Sequence, residues 1–291
     1  MQTVRPFVMC ADDFGLSSAI DDGILALAER GRISATGCMP AGPAFAADAP
    51  RLRALADRLD VGLHFALTDL PPFAPIASLD PAGRPAALGE VLIRSLTGRI
   101  DYREITAEIG RQVDRFRAAI GREPDFVDGH QHVHVFPGVR RGLFEAFDRG
   151  ILDARRTWVR DCREPAGRIL ARGVEPAKAA FIALLSRGVA GTAARRGVTV
   201  NDGFGGITAF RPEAVAETFP RFLAGLGRRP LVMCHPALPE APADPADPID
   251  RARRAEFAYL SGDAFARDLG AAGLAPARMV AVAASGEGAG E

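Results

Sequence analysis

Lysine is nearly missing from this chain: Lys178 is the only one in 291 residues. A Schiff base, or a carbamate bridging two metal ions, would have to use that side chain, which lies in an Ala-rich stretch away from every motif below. Aromatic residues are only 7%, with a single tryptophan, Trp158, so no long stacking platform for a polymer is expected. The formal net charge is zero and no run of like charges is long, so nothing suggests a nucleic-acid groove or an anionic membrane surface, and a small neutral partner fits better. No apolar run approaches the roughly 18 to 20 residues of a transmembrane segment, and no cationic start leads into a signal-type stretch, so a cytoplasmic protein is expected. The four cysteines, Cys10, Cys38, Cys162 and Cys234, lack Cys-x-x-Cys spacing and read as buried free thiols. Absence of a Gly-x-Ser-x-Gly elbow disfavours serine-hydrolase chemistry.

What is present is enough apolar residue, 48%, to bury a large core. One domain over residues 1–283 is expected, with 284–291 as a disordered tail. Strand-like and helix-like stretches alternate. Strands are expected near Phe7–Ala11, Ile33–Met39, Val61–Ala66, Phe126–Asp128, Thr157–Arg160, Leu231–Cys234 and Met279–Val282. Helices are expected near Ser18–Arg30, opened by a Ser18/Asp21 capping box, and near Phe45–Leu59, Leu88–Thr97, Tyr102–Ile120, Val139–Arg149, Pro176–Arg196, Pro212–Leu226 and Asp250–Leu269. Pro-rich loops fill 69–85 and the stretch after His235. Such a βα rhythm, slightly above the roughly 250 residues typical of the fold, predicts an α/β protein built as a (β/α) barrel, with a doubly wound open sheet as runner-up.

In a barrel, catalytic groups belong at the C-terminal ends of strands. Asp12 and Asp13 follow the first strand, His64 ends the third, His130 follows the fourth, and His235 follows Leu231–Cys234. All five histidines, 64, 130, 132, 134 and 235, fall at or just beyond strand ends, an odd scatter for structural residues. Two acids and several imidazoles delivered by separate strands are the parts of a mononuclear metal site with a spare carboxylate as base. His130, His132 and His134 are spaced by two, so an extended backbone would aim all three, with Asp128, at one face. A four-coordinate site cannot need them all; one of His132 and His134 is expected to pack or to support, and Asp128 to orient an imidazole.

The ordered set Ala-Asp-Asp-Phe-Gly, Gly-Leu-His-Phe, Asp-Gly-His-Gln-His-Val-His-Val-Phe-Pro and Cys-His-Pro-Ala resembles the YdjC family of carbohydrate deacetylases, and the weaker Arg253-x-x-Glu256 pattern is similar too. The resemblance implies a deformed (β/α) barrel, often dimeric, that removes acetyl groups from N-acetylated amino sugars with one divalent metal ion. Carried over by motif, Asp13, His64 and His130 would hold the metal and Asp12 would be the catalytic base. The family commonly has Asp-Ser-His-His-His where this chain has Asp128-Gly129-His130-Gln131-His132, which leaves the metal triad but puts substrate contacts from positions 129 and 131 in doubt. Thr157-Trp158-Val159-Arg160-Asp161 resembles the branch associated with hopanoid biosynthesis.

The chemistry expected is attack of metal-activated water on an acetamide, with Asp12 taking the proton and His235, or secondarily His132, protonating the amine. Asp128, His132, His134 and Arg253 are assigned to substrate or supporting contacts. Two histidines in the donor set favour zinc over magnesium, though the family resemblance leaves magnesium open. A lipid-linked glucosamine would account for apolar loops such as Leu67–Ile76. Competing readings are a metal hydrolase of the amidohydrolase or phosphoesterase type and a non-catalytic sugar-binding protein.

Overall fold

A computed structural model describes residues 4–287. Its strands are β1 (Arg5–Phe14), β2 (Ala35–Cys38), β3 (Asp60–Phe65), β4 (Phe126–Gly129), β5 (Trp158–Val159), β6 (Phe204–Gly205), β7 (Leu231–Cys234) and β8 (Leu274–Pro276). Helices α1 (Ser18–Glu29), α2 (Phe45–Arg53), α3 (Leu88–Leu96), α4 (Tyr102–Ile120) and α5 (Pro137–Asp148) punctuate the first half. The second half carries α6 (Ala166–Arg172), α7 (Pro176–Leu185), α8 (Val189–Ala194), α9 (Val215–Phe222), α10 (Asp250–Ser261), α11 (Asp263–Ala272) and α12 (Met279–Glu287).

All strand pairings within the curled sheet are parallel, in the order β5-β4-β3-β2-β1-β7-β6, with β8 added beside the start of β1. The two ends of this order meet. Val159 of β5 bridges Val200, its N–H donating to the Thr199 carbonyl at 2.9 Å, and Asn201 exchanges side-chain hydrogen bonds with the Asp161 backbone at 2.7 and 2.9 Å. The result is a deformed (β/α) barrel whose ring closes through one isolated backbone bridge.

Alternation along β1 sets inside from outside. Val8 and Cys10 join one apolar cluster, while Phe7, Met9 and Ala11 pack in another with α1, α9 and α10. Gly62 of β3 makes room for the Phe126 ring, which stacks on Trp158 at 4.4 Å, whereas a Cβ there would lie 2.4 Å from the ring.

Several local expectations give way: the helices expected at Pro176–Arg196 and Asp250–Leu269 are each broken into two, at Ser186–Gly188 and at Gly262. The N-cap of α1 is Ser17, whose hydroxyl accepts the Ile20 N–H, not Ser18, and Asp21 turns instead to the Gly15 N–H at 2.6 Å. Met279–Val282 opens a helix; the final strand is the preceding Leu274–Pro276, because a short apolar run does not by itself distinguish a strand from a buried helical turn. That helix reaches Glu287, so the expected tail begins inside it and its last residues, 288–291, lie outside the described residues. All four cysteines are buried and free, as expected.

Candidate metal and catalytic centre

Consecutive residues of a strand normally face opposite ways, so Asp12 and Asp13 could not both enter one site from a regular β1. The β1/β2 register shifts between Ala11 and Phe14, and Asp13 adopts φ 77°, a left-handed conformation costly for a non-glycine residue. This bulge turns both carboxylates inward, each 1% exposed. Gly15, at φ 101°, completes the turn where a Cβ would meet the Phe45 Cβ at 2.8 Å and the Met39 carbonyl at 2.9 Å.

One oxygen of Asp13, Oδ1, lies 3.3 Å from His64 Nε2 and 3.0 Å from His130 Nδ1. The other, Oδ2, accepts from Arg253 at 2.7 Å, and Asp247 holds the same guanidinium from behind at 2.6 Å. Asp13, His64 and His130 each present a donor atom within 4.8 Å of the others. Each imidazole is anchored on its far side: His64 Nδ1 to Asp128 Oδ1 at 2.7 Å, and His130 Nε2 to Asp69 Oδ2 at 2.8 Å. The first anchor follows from register, since His64 and Asp128 are cross-strand partners in the β3/β4 ladder.

Burial would lower the pKa of both imidazoles, but the surrounding carboxylates override it. Asp128 and Asp12 bring His64 to about 10, and Asp13 raises His130. The centre therefore attracts positive charge, and converging lone pairs of one carboxylate and two imidazoles, each ring steadied by an acid, suit a divalent ion. A second group of acids and imidazole, Asp12, His64 and Asp128, suits one less well. Its two carboxylates are already engaged by Arg160.

Arg160, entirely buried just beyond β5, donates Nη1 to Asp12 Oδ2 at 2.7 Å and Nη2 to Asp12 Oδ1 at 2.6 Å, and Nη2 also lies 2.7 Å from Asp128 Oδ2. Burial works to raise the Asp12 pKa; the guanidinium prevails and holds it well below the usual carboxylate range. Arg253 does the same for Asp13. His235 Nε2 stands 3.9 Å from Asp12 Oδ2, with Phe210, at φ 54°, edge-on to its ring at 5.3 Å. Burial lowers the His235 pKa to about 4, so the ring is neutral near pH 7. Its backbone N–H donates to Glu256 at 2.6 Å, and burial lifts that carboxyl to about 7.

The three alternating histidines do not share a face. Residues His130–Val135 form a 3-10 turn with left-handed φ of 52° at Gln131 and 60° at His132, which fans the rings apart. His130 reaches Asp13, His132 lies edge-on to Phe204 with Nδ1 3.8 Å from Cys162 Sγ, and His134 Nε2 meets the Arg160 carbonyl at 3.1 Å. Burial depresses His132 well below its usual value and His134 to about 4. Arg253 backs Asp13 and Asp128 supports His64. Sequence reasoning gave no role to Arg160 or Asp69; Arg160 could have been found by the same strand-end test that found the histidines. In the loop after β3 Leu67, Leu70 and Ile76 are buried, while Phe73 stays 41% exposed.

Against known proteins, the chain is 35% identical over 154 residues to a chitooligosaccharide deacetylase of Enterobacter sp. (strain 638), covering 50% of this chain and 60% of that protein. A chitooligosaccharide deacetylase of Yersinia pestis (strain Pestoides F) is 36% identical over 133 residues, 45% of this chain and 51% of that one. The matched region thus spans little more than half the length of these relatives. A solved structure from Enterococcus faecalis V583, described as a candidate cellobiose-phosphate cleavage protein, superposes with a TM-score of 0.69 at 19% identity, covering 96% of this chain and 99% of that one, and shares the fold. The family model described as YdjC-like protein matches residues 6–271, from β1 through α11 and across every residue of the centre, and the chain belongs to that family.

Proposed function

We propose that this protein is a metal-dependent hydrolase that removes the N-acetyl group from an N-acetylated amino sugar. The observation that carries the reading is the convergence of Asp13, His64 and His130, each ring anchored by a carboxylate, beside an ionised Asp12 and a neutral His235. Family membership and the deacetylase relatives support it. Asp13, His64 and His130 would hold one divalent ion, zinc or another transition ion being favoured by the two imidazoles. When bound, such an ion supplies Lewis acidity toward a carbonyl oxygen and acidifies water.

The chain's own residues then manage the proton. Water forms the new C–O bond, and Asp12, kept ionised by Arg160, accepts the proton it loses. Asp12 is a weak base for the same reason, so it hands the proton on readily. His235, 3.9 Å away with a pKa of about 4 against a lower one for Asp12, is the downhill recipient. From its Nε2 the proton passes to the amine as the C–N bond breaks. Arg253 and Asp128 fix Asp13 and His64 throughout.

The finer substrate reading is a one- or two-ring N-acetylglucosamine, free or lipid-linked as in an acetylglucosaminyl hopanoid; the Thr157–Asp161 segment motivates the latter. A dinuclear site with a bridging lysine is disfavoured because Lys178 Nζ donates to the Thr208 carbonyl and belongs to neither cluster of candidate ligands. The test is acetate release by the metal-loaded protein from N-acetylglucosamine oligomers and from an N-acetylglucosaminyl lipid, with Asp12→Asn as control. Release abolished in the control supports the reading, and the preferred substrate selects the branch. No release with metal bound refutes it.

A further inference from the structure

The long connection from β5 to β6 leaves the catalytic end of the barrel at Arg160 and forms the hairpin of α6 and α7 before returning at Val200. One side of α7 is committed: Ala179, Ile182 and Ala183 are buried, and the helix packs against the His130–Val135 turn of the candidate centre. The opposite side should then be polar, as on an ordinary surface helix. Instead α7 reads Pro-Ala-Lys-Ala-Ala-Phe-Ile-Ala-Leu-Leu, and its outer face shows Phe181 at 49% and Leu184 at 53% exposure, with Leu170 of α6 at 71%. These are three of the large apolar side chains the described residues leave in solvent, gathered on one hairpin.

Charge distinguishes the occupants of such a face. The chain as a whole is neutral, yet residues 163–196 carry seven basic side chains against two acidic ones. Glu164 is buried and faced by Arg168 and Arg172 at 3.6 and 3.5 Å, and Lys178 Nζ is turned to the Thr208 carbonyl, which leaves the exposed charge at the hairpin's two ends and on the adjoining α8 positive through Arg163, Arg187 and Arg195. A second copy meeting this face about a twofold axis would set like charge against like. Three side chains also fall short of the roughly 800 Å² per partner that a stable interface needs. Exposed apolar side chains on short helices, with arginines at the hairpin's ends, suit contact with an anionic lipid surface.

We propose that the α6–α7 hairpin docks the protein on an anionic lipid surface, with Phe181, Leu184 and Leu170 inserted among the acyl chains and the basic residues over the headgroups. Docking through this face holds the barrel's catalytic end beside the membrane, because α7 is packed on the turn that carries His130. Such docking is independent of the reaction proposed above.

The experiment is flotation of the full chain with phosphatidylcholine vesicles and with vesicles containing phosphatidylglycerol, at low and at high salt. The expected result is binding to the anionic vesicles only, weakened by salt, and reduced at least about tenfold by Leu170→Ser/Phe181→Ser/Leu184→Ser. Phe181→Trp supplies a second measurement that survives misfolding of the triple variant: its fluorescence should shift blue with anionic vesicles and be quenched by brominated acyl chains, against a constant background from buried Trp158. Absence of binding, binding unaffected by the triple substitution, an unshifted emission from the Phe181→Trp variant, or a dimer in sedimentation that the triple variant abolishes would each overturn the proposal.

Discussion

Replacing Arg160 by methionine tests the electrostatic account of the centre most directly. The guanidinium is fully buried and makes bidentate hydrogen bonds to Asp12 at 2.7 and 2.6 Å and an ion contact to Asp128 at 2.7 Å. Methionine keeps much of the volume and removes the charge, leaving two buried carboxylates without their counterion. Breaking a buried pair by deleting one partner costs about 3–5 kcal/mol, which for a chain of this size is on the order of 10 °C in Tm. The loss carries a pH signature. With arginine present the Asp12 pKa is depressed, so its contribution is complete above the unfolded carboxylate value near 4 and disappears as pH falls through the folded one. In Arg160→Met burial acts on Asp12 unopposed and raises its pKa above the unfolded value, so the variant recovers stability as Asp12 protonates, and the difference from wild type is largest near pH 7.5 and shrinks toward pH 4.5. Urea unfolding at both pH values measures it, and Asp12→Asn with and without Arg160→Met completes a double-mutant cycle. A loss below about 1 kcal/mol, or one equal at both pH values, would refute the reasoning.

Asp128→Asn leaves the fold but loosens the His64 ring, and affinity for zinc in a chelator competition should fall about 10- to 100-fold; unchanged affinity would remove Asp128 from the support of that ring. Asp21 is lifted by burial to about 8, against the pull of the Gly15 N–H and with the help of Asp48. Stability from its bound proton is present below about pH 4 and lost as pH rises to about 8. Asp21→Asn keeps an acceptor for Gly15, so the fall in Tm between pH 5 and 8 should flatten, and an unaltered slope would contradict the assignment. Gly62→Ala drives a methyl to 2.4 Å from Phe126, whose ring is held against Trp158; a cost of about 1–3 kcal/mol is expected in thermal melts, and a variant melting with wild type would show the ring free to move.

Much of this centre is legible in the sequence because a parallel barrel delivers side chains at strand ends, and Asp12, Asp13, His64, His130 and His235 all sit there. The pairing of Asp128 with His64 is equally readable, being a matter of ladder register. The fan of His130, His132 and His134 is not, since it depends on two left-handed residues in succession that no periodicity encodes. Asp69 is hidden for a similar reason: it reaches His130 only because the loop after β3 folds back at a residue with φ 63°. The two-residue β6, set in Asn-Asp-Gly-Phe-Gly-Gly, carries too little β signal to be found without its neighbours.

The ring of strands is joined between Val159 and Val200 by a single backbone bridge, and the next residue after Val159 is Arg160. That side chain reaches across the barrel to Asp12 on β1 and sideways to Asp128 on the neighbouring β4, so it laces the weakest seam to both. The carboxylate proposed as the base and the keystone of the arch are one cluster. A lineage exploring new substrates on this scaffold cannot retouch that cluster without loosening the vault, and its freedom lies in the loop after β6 and the outer side of the hairpin beyond Arg160.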